Sequence, residues 1–361
     1  MIQVTEGAKS EEPDSDVRQP SLVAASEGAP CVGALSKSNL QKREELLDSM
    51  RAQPSRLVVV TDTGVTLQSV GHPAPGTEVA GWPGLMADGL ERCRKLQLID
   101  DVDAKIVALQ IEGPKAEHFI QAAQKIHECL AKRVNERQWW MKETIGSLKV
   151  TDPRLIRAVL ALDALVTTLN YDNTIQQVSG RPALHWKQQN EITKRIRSRS
   201  KEFTLHLHGV FEDIDSIVLD HASYQSISKN VQVHDLLRQF ARFETMLFIG
   251  CRQTFLDPNF QTLLDWAQIG LLGLESRHYI LCRASEETDV VRELQPHGYL
   301  TSLVYGDGYP ELAPFLEQLA IEARGAAATA NPPTLPQAPT AEATPGNVLT
   351  PSDIWKLHFS R

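Results

Sequence analysis

The sequence predicts an α/β protein built on a doubly wound parallel sheet. Short apolar or β-branched runs recur along the chain, at Arg56 to Val60, Leu162 to Leu169, Phe203 to Val210, Met246 to Gly250, His278 to Cys282 and Thr301 to Val304. Helical segments separate most of them, and strands alternating with helices build parallel sheets. Several runs also end in polar turns, such as Thr61-Asp62-Thr63-Gly64 and Asn170-Tyr171-Asp172. Such turns fall where open α/β sheets bind ligands.

Taken in order, residues 1–36 are acidic and rich in small residues, and read as a disordered tail. Ser38 to Gln41 has the form of a capped helix start, and Pro54 ends that helix, so residues 37–54 lead into the core. Arg56 to Val60 reads as a buried parallel strand. A Gly/Pro-rich loop follows, from Gly71 to Gly81. Trp82 to Leu96 carries Leu85, Leu90, Cys93 and Leu96 in helical phase, and helical character continues through Ala116 to Val134 and on to Leu148. This stretch is a helical insertion before the Asn170 strand. Later helices are expected at Asp235 to Phe243 and Asn259 to Trp266. The core domain is therefore set at residues 55–322, followed by an Ala/Pro-rich flexible tail, 323–361, whose last part, Thr350 to Leu357, has the form of one capped helical turn.

Composition excludes several classes. The 361 residues are 42% hydrophobic and 23% charged, which suits a soluble globular core. A net charge of −8 disfavours general nucleic-acid binding. The acidic start, with Glu6, Glu11, Glu12, Asp14 and Asp16, is no secretory signal, and no apolar run approaches the roughly 20 residues that span a bilayer. The five cysteines are scattered without a CxxC pair, so no zinc ribbon or disulfide framework is indicated; a cytoplasmic location fits, and a nuclear one fits as well.

The chemistry-bearing residues lie in Thr168-Leu169-Asn170-Tyr171-Asp172 and Leu205-His206-Leu207-His208-Gly209-Val210. An Asn, an Asp and a His delivered to one crevice suit activation of a bound nucleotide sugar. Read alone, His208 is better taken as a core histidine, and Asn170 and Asp172 as a cap where a strand turns into a helix. Tyr171 and Trp82 read as packing residues. The basic stretch Lys194 to Lys201 reads as a solvated helix face. His206 is expected to project to the same strand face as His208.

In order and spacing these segments resemble the sirtuin superfamily, in its zinc-free branch of animal sirtuin-like proteins and bacterial antiphage NAD-degrading effectors. The resemblance runs from about Arg56 to Leu319. It includes Leu57 to Thr66, Gly81 to Leu85, Asn170 to Asn173, His208-Gly209, Ser216 to Leu219 with Tyr224, Phe248 to Cys251 with Asp257, and Tyr305 to Asp307. It implies a Rossmann-like fold without a zinc module, and bound NAD with no zinc. By that resemblance Asn170 and Asp172 hold the nicotinamide end and its ribose, and His208 is the base. Asp62, Thr63, Gly64, Gly250, Cys251 and Arg252 complete the cofactor site. The expected activity is cleavage of the nicotinamide–ribose bond in immune or stress signalling. The alternatives are a catalytically degenerate binding or assembly subunit and, less favoured without a zinc ligand set, a protein deacylase. Relatives of this kind imply a homo-oligomer or filament, or pairing with an active paralogue.

Two residues depart from the pattern. Asp62 stands where the family's first turn has glycine, which allows close backbone approach to a diphosphate. A carboxylate about 5 Å from a phosphate charge costs on the order of 3 kcal/mol at an effective dielectric near 20. Arg252 likewise replaces a glycine. The two are expected to pair across the ligand-facing edge, or Asp62 to turn outward to solvent.

Overall fold

The computed structural model describes residues 32–71, 78–113, 115–251, 278–294 and 299–325. Its centre is one parallel sheet with strand order β3-β4-β2-β1-β5-β6-β7. The strands are β1 (Leu57–Thr61), β2 (Leu165–Thr168), β3 (Ala183–His185), β4 (Thr204–His206), β5 (Thr245–Ile249), β6 (His278–Arg283) and β7 (Leu300–Gly306). The α/β Rossmann-like class expected from the alternation is therefore the observed one. β3 was not foreseen: three residues are too few to show an alternating pattern. Conversely, β4 is shorter than the run from Phe203 to Val210, because Gly209 turns the chain at φ +91°.

All five residues of β1 are buried, since both faces of the sheet are covered. On one face Val58 and Val60 join Leu205, Met246, Phe248 and Ile280. On the other, Leu57 and Val59 join Val166, Leu247 and Ile249 beneath helices α1 (Val32–Ala52), α7 (Arg154–Ala161) and α13 (Leu312–Arg324). The first of these helices begins at Val32 rather than at Ser38, so Ser38 is not its cap. It lies along the free edge of β7, where the Asn39 amide donates to the Val304 carbonyl (2.9 Å) and accepts from its N–H (2.8 Å). One side chain thus satisfies a peptide that an edge strand leaves open.

Between β1 and β2 the chain forms α2 (Thr63–Val70) and then the expected helical insertion. This comprises α3 (Trp82–Lys95), α4 (Asp101–Ile111), α5 (Ala116–Leu130) and α6 (Glu136–Glu143). Its core is a separate cluster around Trp140, Met86, Ile126 and Leu130, which meets the sheet's ligand edge through Tyr171, Phe211 and Ile217. The other face of the sheet carries α9 (Gln189–Arg197), α10 (His221–Ser228), α11 (Val231–Phe243) and α12 (Glu287–Leu294), while α8 (Thr174–Ser179) follows the Asn170 turn. The chain moves outward from β1 in one direction through β2, and in the other through β5. The switch point, and with it the crevice, therefore lies at the C-terminal ends of β1 and β5. Among the described residues no helix is long and apolar enough to cross a membrane.

Arg252, Asp257, the helix expected at Asn259 to Trp266, most of both tails and much of the Gly71 to Gly81 loop lie outside the described residues. The proposed Asp62–Arg252 pair therefore lies there too. Residues 32–36, expected in the disordered tail, belong instead to α1.

Candidate ligand site at the sheet switch point

Two turns meet at the switch point. Beyond the paired strands the β1 turn stays bonded to the β5 turn, Asp62 N–H donating to the Ile249 carbonyl (3.2 Å) and Gly64 N–H to that of Gly250 (3.2 Å). A Cβ on Gly64 would lie 2.8 Å from the Gly250 Cα, and Gly250, at φ +72°, faces Val65 N as closely. Both glycines are thus required by each other, before any ligand is considered. Cys251 is fully buried, with its thiol directed to the carbonyls of Val60 and Ile249 (3.5 Å each). Its side chain packs the turn from beneath.

Asp62 begins α2 in extended conformation and makes no cap bond to the helix. It is 8% exposed, so it does not turn outward to solvent. Its Oδ1 accepts from the Thr63 hydroxyl (3.3 Å), which also lies 3.5 Å from Asn170 Oδ1. From there a bonded chain runs inward. Asn170 Nδ2 donates to the Thr66 hydroxyl (2.9 Å), and that hydroxyl donates to Asp172 Oδ2 (2.7 Å). Asp172 Oδ1 accepts from both the N–H (2.9 Å) and the hydroxyl (2.5 Å) of Thr174. The Asp172 carboxylate is thereby engaged on both oxygens and ties down Thr174, the first residue of α8, whose cap position is Asn173. Asn170 is only half-buried, with its Oδ1 toward the β1 turn, and is the accessible member of the pair.

The two histidines part company. The alternation ends with β4, so His206 and His208 do not share one environment. His206 Nδ1 lies 2.9 Å from the Asn170 carbonyl, and its Nε2 lies 2.8 Å from Gln176 Nε2. Burial pushes His206 down to about 4, against the opposing pull of the Asn170 carbonyl. His208 instead meets the edge of the Tyr224 ring (centroids 6.3 Å apart), and its carbonyl accepts from Val218 N–H (2.9 Å). The following Gly209 has no room for a side chain, since a Cβ would lie 2.2 Å from the Ser216 carbonyl oxygen. Tyr224 stands on α10, whose cap Asp220 accepts from Ser223 N–H (2.9 Å) and contacts His127 Nδ1 of α5 (2.7 Å). Burial opposes ionisation of Asp220, but the bonds from His127 and Ser223 hold its carboxyl well below the usual range. The helical insertion thus reaches the His208 wall through this buried pair and through Trp82 of α3, which meets the Tyr224 ring edge-on.

Residues 164–300 match the SIR2-like domain family. The match supports placement in the sirtuin-like superfamily and suggests an NAD-related function in general. It spans β2 to the start of β7, and so includes Asn170, Asp172, His206, His208, Gly250 and Cys251 but not Asp62 or Gly64. Among the described residues no group of three or more His, Cys, Asp or Glu is placed to hold a metal ion.

The structure joins Asn170 and Asp172 through Thr66, with the Thr63 hydroxyl, bonded to Asp62, 3.5 Å from Asn170 Oδ1. Tyr171 and Trp82 prove to be packing residues. The Tyr171 hydroxyl donates to the Val218 carbonyl (2.8 Å), and Trp82 packs between Phe119 and Tyr224. Lys194 and Arg197 face solvent while Arg195 pairs with Glu191, as expected of a solvated face. Sequence reasoning missed Thr66. The spacing of Thr63 and Thr66, one helical turn apart after the β1 turn, was the signal that would have found it.

Proposed function

We propose that the chain hydrolyses NAD⁺ at its nicotinamide–ribose bond, with the reaction centred on Asn170 and His208. The observation that carries this reading is the bonded chain Asn170–Thr66–Asp172 at the switch point, which holds a half-exposed amide beside the His208 segment. In the reaction the C1′–N bond breaks with its electron pair leaving on neutral nicotinamide. Positive charge then builds on the ribose, water adds at C1′, and its proton passes to His208 as base. The Asn170 amide, fixed before reaction, supplies a dipole to the developing charge. Asp172 acts through Thr66 by holding that amide, and is itself held by Thr174. The biological setting that fits is stress or immune signalling, with activity governed by self-association or by pairing with an active paralogue.

The test is nicotinamide release from NAD⁺ by the purified chain over a range of protein concentrations, beside H208A. Release that falls at least 100-fold in a folded H208A protein is the expected result. Release unchanged in that variant would remove His208 from the reaction.

One observation favours a second reading, a degenerate NAD-binding or assembly subunit. The Asp62 carboxylate is buried at the positive end of α2, where a diphosphate would otherwise be stabilised. On this reading wild type binds NAD⁺ weakly without turnover, and D62G tightens binding by up to about 100-fold. Calorimetric titration of the two proteins measures it.

A further inference from the structure

We infer that His206, through the Asn170 carbonyl, is a positioning residue for the proposed hydrolysis, an inference that rests on the reading of Asn170 as the reacting amide. The Asn170 backbone is held at both ends. Its N–H donates to the Thr168 hydroxyl (3.1 Å), and its carbonyl faces His206 Nδ1 at 2.9 Å. A carbonyl only accepts, so Nδ1 carries the proton. In the neutral ring Nε2 is then an acceptor, and it takes the hydrogen bond from the Gln176 amide (2.8 Å). The assignment is unique: the carbonyl fixes the tautomer, and the tautomer fixes the orientation of Gln176.

The ring joins three elements at the site. It leaves β4 at its last residue, holds the turn after β2, and is held in turn by α8. His206 is 1% exposed, so the bond to Asn170 competes with little water. Without it the peptide after Asn170 loses the partner on its carbonyl, and the side chain is fixed only by Thr66. Misplacement of a reacting group by about 1 Å costs on the order of 100-fold in rate. Asp172 is not disturbed in the same way, because its partners are Thr66 and Thr174. The two kinds of support are separable by mutation.

The side chains of Asn and Gln separate the two ring nitrogens. In H206N the amide nitrogen takes the place of Nδ1, and in H206Q the amide group takes the place of Nε2. The experiment measures kcat and KM for nicotinamide release, and NAD⁺ affinity by calorimetry, for the full wild-type chain, H206N, H206Q and H206A. Circular dichroism verifies the fold of each. The expected result is a kcat reduced 10- to 100-fold in H206Q and H206A with KM within about 3-fold, and H206N restored to within about 5-fold of wild type. Folded H206Q or H206A with wild-type kcat, or H206N as impaired as H206Q, overturns the inference while leaving the hydrolase reading intact. Wild type that binds NAD⁺ without turnover overturns the hydrolase reading and this inference with it. Wild type that neither binds nor cleaves NAD⁺ overturns both.

Discussion

Thr66 shows how one hydroxyl can hold a site together. It is 1% exposed, accepts from Asn170 Nδ2 and donates to Asp172 Oδ2. T66V removes both bonds and leaves the buried Asp172 Oδ2 and the half-buried Asn170 amide without that partner, at a cost of about 1–3 kcal/mol. T66S keeps the hydroxyl and is expected within about 1 kcal/mol of wild type. Denaturant midpoints for the two variants check this, and equal midpoints would mean that the Thr66 bonds contribute little. At this scale residue types in the sequence were informative and their partners were not. Asn170, Asp172 and His208 were legible as candidates. That both Asp172 oxygens are engaged, by Thr66 across the crevice and by Thr174 two residues on, depends on contacts over 106 positions as well as local ones.

Elements were legible in proportion to their length and periodicity. Helix α3 was expected at Trp82 to Leu96 and is observed at Trp82–Lys95, because its apolar positions keep helical phase over fourteen residues. The strands at Leu57–Thr61 and Thr245–Ile249 lie within one residue of the apolar runs that announced them. By contrast β3 is too short to carry a pattern, and the start of α1 was misplaced because Ser38 imitates a cap in mid-helix. That helix has a role that no local pattern announces, since Asn39 closes the β7 edge at Val304 from 265 positions away. N39A breaks both bonds and reopens the edge. The expected loss is about 1–3 kcal/mol in stability, with greater light scattering on gentle heating. An unchanged midpoint and no scattering would show that the edge needs no such cover.

For the molecule as a whole, two buried histidines make folding sensitive to acid. His206 and His278 are each pushed down to about 4, in both cases by burial first. An unfolded histidine titrates near 6.5, so between about 6.5 and 4 the unfolded chain binds more protons than the folded one. Stability therefore rises with pH through that window; it is full above about 6.5 and is lost as pH falls toward 4. Each group accounts for about 3 kcal/mol at the acid end. Denaturant unfolding at pH 7.5, 6 and 5 measures the slope. In H278N the new carbonyl can accept from Met246 N–H as His278 Nδ1 does, and the slope should fall by the part that His278 contributes beside His206, His127, His185 and His234, whose protonation burial also opposes. A slope unaltered by H278N would place the acid sensitivity elsewhere.

The sequence by itself determined the class of fold, because two-sided burial of short β-branched runs between amphipathic helices leaves few arrangements other than a parallel sheet covered on both faces. It also singled out the candidate residues, since Asn, Asp and His stand out at strand ends. The tertiary structure alone decided what those residues are bonded to. Strand order brought the β1 and β5 turns together, so Gly64 and Gly250 answer first to each other's backbone. The end of β4 at His206 sent one histidine to the Asn170 carbonyl and the other to Tyr224. The physical reason is range: periodicity and capping act over a few residues, whereas hydrogen-bond partners at a sheet edge are set by strands that the chain joins from far apart.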